Sequence, residues 1–136
     1  MNISHSEQIN ATFEILWILL LDKVQHPDIT IKEITHVEVL QKYDDGILRQ
    51  MHTLGMIIRE RITIDEQNKI IRFDLIENPM FTGYFLNKIK GDDGKLILVY
   101  EQNWIPTTSQ SRKIETKLPQ ILIKGVQEMK KLAEKQ

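Results

Sequence analysis

The sequence predicts an α+β protein in which an antiparallel sheet packs against a long C-terminal helix. An apolar pattern of helical spacing lies near the N-terminus, and a second one occupies the last third of the chain. Between them, apolar residues alternate with polar ones and Asp-Gly pairs interrupt the alternation. Spacings of three and four indicate helices, whereas a period of two indicates strands. Two helical regions therefore bracket a block of strands.

The first helix is predicted over residues 12–25, and Pro27 ends it. One face of this helix carries Phe13, Leu16, Trp17, Leu20 and Val24. The opposite side is apolar too, because it carries Ile15, Ile18 and Leu19. A helix that is apolar nearly all round is buried or contacts another surface. Trp17 therefore has three interpretations: a lid over a pocket, a subunit interface that makes a homodimer, or ordinary core burial.

Six strands are predicted between the two helical regions. They cover residues 36–42, 47–54, 56–65, 69–76, 84–90 and 96–105. Asp45-Gly46 and Asp93-Gly94 are turn pairs of the kind that join hairpin strands. Short connections make consecutive strands antiparallel neighbours, which predicts a meander. A further short strand near residues 3–9 can pair with this sheet.

The final helix is predicted over residues 109–135. Its apolar stripe runs from Ile114 to Ala133, and Thr107, Thr108 or Ser109 can cap its start. Pro119 lies inside this span, so we expect a kink or the start of a fresh helix there.

Composition excludes several classes of function. We expect a single domain over residues 1–136, with 41% hydrophobic residues, a net charge of −1 and no basic patch for nucleic acid. The longest apolar run, residues 15–21, is too short for membrane insertion. Since the chain has no cysteine and residues 1–10 do not form a signal peptide, we expect a cytoplasmic protein. The histidines lack metal-ligand spacing, and no cofactor motif is present, so we expect neither a metal nor a cofactor.

The order and spacing of several segments resemble a known superfamily. These segments are Leu16-Trp17, HVEVL at 36–40, IRERI at 58–62, Gly83 with Asn87, and LVYEQNW at 98–104. Across nearly the whole chain the sequence resembles the START-like (SRPBCC) helix-grip superfamily, and within it the AtaL-like family of unknown function. The resemblance implies six to seven strands curved around the C-terminal helix, with a deep cavity between them. Superfamily members hold lipids, hormones or polyketides there, as carriers or as enzymes.

Glu60 is the strongest candidate for a functional side chain. In its strand Ile58, Glu60 and Ile62 share one face, which places a carboxylate on the core side. An unpaired buried charge is costly and would have a raised pKa. Glu60 is therefore a ligand anchor or an acid–base group, or else it pairs with an Arg or Lys of a neighbouring strand or lies at a solvated mouth.

Other polar residues can join Glu60 in a pocket. If Leu48 and Leu54 face inward, so does His52, although the register with Ile47 and Met51 inward is nearly as good. The remaining candidates, which are predicted to face the same cavity or to leave room for a ligand there, are Asn87, Tyr100, Gln102, Trp104 and Gly125. A few hydrogen-bonding groups in an apolar pocket are typical of small-molecule sites. Gly125 can instead mark close packing of the helix on the sheet.

The sequence thus predicts a domain that binds a small hydrophobic or aromatic ligand. Two alternatives stay open at this point. The first is an enzyme of the polyketide cyclase/aromatase type that uses Glu60, with His52 or Tyr100, as acid and base. The second is a protein-interaction domain without a real cavity.

Overall fold

The computed structural model describes residues 2–136, which form one antiparallel sheet, three α-helices and a short helical turn. The strands are β1 Asn2–Ile9, β2 Ile34–Tyr43, β3 Gly46–Thr53, β4 Met56–Asp65, β5 Ile70–Leu75, β6 Phe81–Lys90 and β7 Leu96–Pro106. The helices are α1 Phe13–Gln25, α2 Ser109–Glu115 and α3 Leu118–Glu134, and a 3-10 turn at Pro27–Ile29 follows α1. The predicted α+β class is confirmed.

The seven strands follow the order β1-β7-β6-β5-β4-β3-β2, so the predicted meander is confirmed and β1 joins it beside β7. A two-residue loop, Leu54-Gly55, connects β3 to β4 and sets Thr53 opposite Met56. Both loop residues have left-handed φ angles, +52° and +75°. This conformation matches the tight primed turns that suit the twist of a hairpin. It also fixes which residues of β3 and β4 face each other.

The helix boundaries follow from local hydrogen bonds and from proline. The Thr12 side chain caps α1 by accepting a bond from the Ile15 amide at 3.2 Å. Thr108, one of the three predicted caps, begins α2 and forms a capping box with Ser111. The expected long helix is two helices. Helix α2 ends at its C-cap Thr116, and α3 begins at Leu118 with Pro119 in its first turn. Proline is tolerated there because its missing N–H has no partner in a first turn anyway.

Helix α3 covers the concave face of the curved sheet and closes the core. Its buried residues are Leu118, Leu122, Gly125, Val126, Met129 and Ala133. Helix α1 adds Leu16, Leu20 and Val24 to the same core. Trp17 is buried as well and stacks on Phe13 with ring centroids 5.4 Å apart. Of the three interpretations of Trp17, core burial is the one observed.

Neither edge strand of the sheet, β1 or β2, presents a regular open edge. On β1, the Lys130 ammonium donates to the Gln8 carbonyl oxygen, and just after the strand the Glu134 carboxylate accepts the Asn10 N–H at 2.8 Å. The hydrogen bond from the Asn10 amide first, and then that from Lys130, hold the pKa of Glu134 below its ordinary value. On β2, the pairing with β3 shifts register twice, between Ile34 and His36 and between Val39 and Gln41. Such bulges twist an edge away from regular pairing.

Truncation of Met129 should reveal how much α3 contributes to the fold. Met129 is 1% exposed, so Met129→Ala removes buried atoms and leaves a cavity. We expect a loss of about 2–5 kcal/mol in the free energy of unfolding. Gln127→Ala, at an exposed position of the same helix, should change it by less than about 0.5 kcal/mol. Equal effects of the two substitutions in urea unfolding would contradict this packing of α3.

Candidate ligand-binding cavity

A cavity lies between the concave face of the sheet and the start of α3. A water-sized sphere can occupy about 80 Å³ of it, and the atom-free space reaches about 690 Å³ when the mouth open to solvent is included. Its lining residues are Lys23, Pro27, Ile31, Ile34, Arg49, Met51, Thr53, Leu54, Glu60, Phe73, Phe85, Tyr100, Gln102, Trp104, Leu118, Ile121, Leu122 and Gly125. Most of these side chains are apolar. The partly exposed Ile31, Leu54 and Ile121 lie toward solvent.

One wall of the cavity holds a buried ion pair. The Arg49 guanidinium of β3 donates through Nη2 to Glu60 Oε1 of β4 at 2.6 Å. The two side chains are 4% and 2% exposed. Arg49 Nη1 also donates to the Val24 carbonyl oxygen at 2.9 Å, at the end of α1. Glu60 is therefore on the core side, as predicted. Among the predicted possibilities, the one observed is an ion pair with a basic residue of the neighbouring strand.

Lys23 of α1 lies beside this pair. Its Nζ stands 4.7 Å from the ring centroid of Tyr100, 4.9 Å from that of Phe73 and 5.3 Å from that of Phe85. Over residues 2–136, no carboxylate lies within ion-pair distance of this ammonium group. The rings attract the cation through their faces. Lys23 is thus a buried lysine in an aromatic environment rather than a member of a salt bridge.

The surroundings of Lys23 disfavour its charge. Burial first, and then the positive charge of Arg49, lower the pKa of Lys23 from 10.5 to about 7. The negative charge of Glu60 opposes this effect without cancelling it. A low-dielectric site penalises an ammonium group because it removes the group from water. The neutral amine is consequently well populated near neutral pH.

Tyr100 of β7 brings a hydroxyl group to the same wall. Within the part of the chain that the structure describes, this buried hydroxyl has no hydrogen-bond partner. Burial raises the pKa of Tyr100, so the hydroxyl keeps its proton and remains a donor. Buried polar groups usually have a partner. The Tyr100 hydroxyl is thus free to bond a polar atom brought in by a ligand or by water.

Gly125 of α3 makes room opposite Tyr100. A Cβ atom placed on Gly125 would lie 3.4 Å from Tyr100 Cε2 and 3.7 Å from Ile31 Cγ1. These are tight but ordinary contacts. Gly125 therefore lines the cavity and also packs closely against the sheet. That it leaves room for a ligand stays a prediction.

The structure brings five of the predicted site residues together. Glu60, Tyr100, Gln102, Trp104 and Gly125 all line the cavity. Whether each of them contacts a ligand stays a prediction.

Asn87 faces inward but does not line the cavity. It lies on β6 opposite Tyr100 of β7 and is fully buried. Neither its amide oxygen nor its amide nitrogen has a hydrogen-bond partner among residues 2–136. Leaving such groups unsatisfied costs about 1–3 kcal/mol each. Asn87 and Tyr100 are therefore neighbouring buried polar residues, and their side chains have no hydrogen-bond partner in the described chain.

The register of β3 that places His52 inward is wrong. The buried residues of β3 are Gly46, Ile47, Arg49 and Met51, so the competing register applies. His52 lies on the other face of the sheet, where its ring is 5.0 Å from that of His36. The reason is the register of the β3–β4 hairpin. It places Arg49 opposite Glu60, and residues directly opposite each other share a face, so Arg49 faces the core and His52 faces away from it.

Two residues of this wall, Arg49 and Lys23, were not predicted from the sequence. The signal for Arg49 was Gly55. If Gly55 is taken as the second residue of a two-residue turn, Thr53 lies opposite Met56, and Arg49 then lies opposite Glu60. Lys23 follows Leu16 by seven positions and Leu20 by three, so it continues the apolar face of α1. A charged residue at such a position is the signal that was available.

Comparisons with known proteins bear on the fold. No protein-family model matches the sequence, and no curated protein does. Among solved structures, the Zhui aromatase/cyclase from Streptomyces sp. R1128 superposes with a TM-score of 0.82, covering 99% of this chain and 94% of its own at 15% identity. TTHA0849 from Thermus thermophilus gives 0.78 over 98% and 97% at 16% identity. The di-domain ARO/CYC StfQ from the steffimycin biosynthetic pathway gives 0.80 over 98% of this chain and 51% of its own, at 12% identity.

The chain has the helix-grip fold. At these identities the likeness shows the fold alone, and this is the fold that the sequence resemblance implied. The AtaL-like family, the homodimer through α1 and the cytoplasmic location stay predictions. Within residues 2–136, no helix is long and apolar enough to cross a membrane.

Removing the charge of Glu60 should destabilise the helix-grip fold. Glu60→Gln keeps the shape but leaves the buried Arg49 guanidinium without an anion, and breaking such a pair costs about 3–5 kcal/mol. The matched control is Glu101→Gln, which breaks the partly exposed Lys88–Glu101 pair of 3.4 Å. A pair of that kind contributes about 0–1 kcal/mol. Urea unfolding of the two variants measures the difference, and equal losses would show that the Arg49–Glu60 pair is solvated.

Lys23 should make the stability depend on pH in a defined window. Its pKa is lower in the folded state, so the unfolded chain binds more protons between about pH 7 and pH 10.5. Stability should therefore rise with pH across this window. With about 1.4 kcal/mol for each pKa unit, the full rise is on the order of 4–5 kcal/mol.

The Lys23→Met variant isolates this effect. It should be more stable than wild type at pH 7, and its advantage should shrink toward pH 10 because the wild type gains stability across this window. Parallel curves of unfolding free energy against pH for the two proteins would rule out a lowered pKa for Lys23.

Proposed function

We propose that this protein binds a small apolar or aromatic molecule in the cavity between the sheet and α3. The observation that carries the proposal is the distribution of polarity in the cavity. Most of the lining side chains are aliphatic or aromatic. Lys23, Arg49, Glu60 and Tyr100 form one polar wall, and Thr53 and Gln102 are the other polar residues of the lining. Apolar walls with a few convergent polar groups are typical of sites that bury an oriented small molecule.

The polar wall favours a ligand with one hydrogen-bonding end. Arg49 and Glu60 already bond each other, whereas the Tyr100 hydroxyl has no partner in residues 2–136. A ligand oxygen can accept a bond from this hydroxyl while the rest of the molecule contacts the rings of Phe73, Phe85 and Trp104. The ligand would thereby satisfy a buried group that is otherwise costly.

The size of the cavity limits the ligand. A cavity that holds benzene has a volume of about 150 Å³, and the space for a water-sized sphere here is about 80 Å³. A short-chain or single-ring molecule needs only small shifts of the lining side chains. A ligand of several fused rings would have to extend through the mouth beside Ile31, Leu54 and Ile121. Membership of the AtaL-like family is part of the same proposal, and its support is the sequence resemblance.

An enzyme is the second candidate. Zhui and StfQ are named as aromatase/cyclase-type proteins, and the observation that favours chemistry here is that Lys23 and Tyr100 lie on one wall. General acid–base catalysis needs titratable groups within reach of one buried point. Glu60 is a weaker candidate for that role, because Arg49 occupies its Oε1 atom at 2.6 Å.

A pair of matched ligands tests the binding proposal. We expect phenol to bind more tightly than toluene, because only phenol offers an oxygen to Tyr100. The measurement is a titration followed by two-dimensional NMR, in which the amide signals of the cavity residues should shift.

A variant that fills the cavity provides the control. Gly125→Val places two methyl groups next to Tyr100 and Ile31 and should weaken phenol binding at least about tenfold. Gln127→Val, on the exposed side of α3, should leave binding unchanged. The proposal fails if neither compound shifts the cavity signals, or if both variants bind phenol equally well.

A further inference from the structure

We propose that Lys23 is an amine nucleophile that forms an imine with the carbonyl carbon of a small aldehyde or ketone held in the cavity. The inference rests on the proposed function, because the carbonyl compound occupies the same cavity. It adds the chemical class of the ligand and a covalent step.

The position of Lys23 is the first support. A lysine is rarely buried without an anionic partner, yet Lys23 is 4% exposed and lines the cavity. Over residues 2–136 its ammonium group faces three aromatic rings and no carboxylate at ion-pair distance. In the nearest ion pair Arg49 and Glu60 bond each other at 2.6 Å, and Lys23 is not part of it. Within the described chain Lys23 therefore has no ion-pair partner that accounts for its burial.

The protonation state of Lys23 is the second support. Only a neutral amine attacks a carbonyl carbon, and desolvation in an apolar site is a known way to activate a lysine. The pKa of Lys23 is lowered to about 7, so near pH 7 about half of the molecules carry the nucleophile. Exposed lysines keep a pKa of about 10.4 and are almost fully protonated there.

The neighbours of Lys23 suit each stage of the reaction. The Tyr100 hydroxyl, which has no partner in the described chain, can donate to the carbonyl oxygen as negative charge develops on it. The iminium product carries one positive charge, as the ammonium does. The rings of Phe73, Phe85 and Tyr100 and the charge of Glu60 favour that cation, while Arg49 opposes it.

The step balances without an oxidant or reductant. The Lys23 nitrogen lone pair forms a bond to the carbonyl carbon, and the C=O π electrons move to oxygen, which takes a proton. That proton comes from the attacking nitrogen through solvent, which gives a neutral carbinolamine. The carbinolamine hydroxyl then takes up from solvent the proton that Lys23 lost on becoming neutral, and it leaves as water as the nitrogen forms the C=N bond. The net change is ammonium plus carbonyl compound to iminium plus water. A compound of a few heavy atoms fits the 80 Å³ available, and a longer apolar chain can extend toward the mouth.

Reductive trapping tests the proposal. The full-length protein is incubated at pH 7 with propanal and sodium cyanoborohydride, which converts an imine into a stable secondary amine. Intact-mass and peptide mass spectrometry then locate the added propyl group. We expect modification mainly at Lys23 in wild type and none at position 23 in Lys23→Met. Lys95→Met, which makes the same change at an exposed lysine, should leave the rate at Lys23 unaltered.

Two further variants and a pH series make the test specific to the cavity. Tyr100→Phe removes the hydroxyl and should slow trapping at Lys23 at least about tenfold, while Gly125→Val should slow it by filling the space. The rate at Lys23 should level off above about pH 7, whereas exposed lysines should react faster up to about pH 10. Besides burial, the groups that set this profile are Arg49 of β3 and Glu60 of β4. Tyr100 of β7 also faces Lys23 but keeps its proton, and α3 lines the cavity with apolar residues.

The outcomes separate this inference from the proposed function. Labels spread over exposed lysines and the N-terminal amine, with no preference for Lys23, would overturn the imine. If phenol still binds in that case, the binding proposal stands. If phenol does not bind but Lys23 is labelled selectively, the imine stands and the cavity takes carbonyl compounds rather than phenols.

Discussion

The buried Arg49–Glu60 pair is the interaction on which the inner wall of this helix-grip fold depends. Each charge requires the other, since a lone ion in the core is far more costly than a neutral side chain. The pair joins β3 to β4, and the bond from Arg49 to the Val24 carbonyl joins both strands to the end of α1. This arrangement determines the position of the last turn of α1 and with it that of Lys23. Lys23 is thus held at the cavity wall by the same ion pair that joins β3 to β4.

Local chemistry explains why most of the fold was predictable from the sequence. Turn pairs, a period of two and two apolar stripes are short-range signals, and they placed the strands of the meander, α1 and the break at Pro119 nearly where the structure has them. The face of Glu60 was predictable for the same reason, since alternation along one strand decides it. These features need no knowledge of which segments meet in space.

The partners of Glu60 could not be predicted from one strand alone. Both faces of β3 carry apolar residues, so the pattern allows either register, and only the pairing with β4 brings Arg49 inward. Lys23 reaches the wall through the packing of α1 on the sheet, which is a tertiary contact. The orphaned groups of Asn87 and Tyr100 are likewise visible only once β6 and β7 are paired and covered by α3. Sites built across distant segments depend on information that periodicity does not contain.

The two sheet edges determine how readily strands of separate copies of this protein can pair. An open sheet presents unpaired backbone groups at both ends, and these can recruit a strand from another molecule. Here the side chains of Lys130 and Glu134 occupy such groups next to β1, while two bulges interrupt the regular ladder of β2. Strand-to-strand polymerisation is thereby disfavoured at both ends. On the β1 side this protection depends on a charged carboxylate, so acid that protonates Glu134 weakens the barrier to aggregation through that edge.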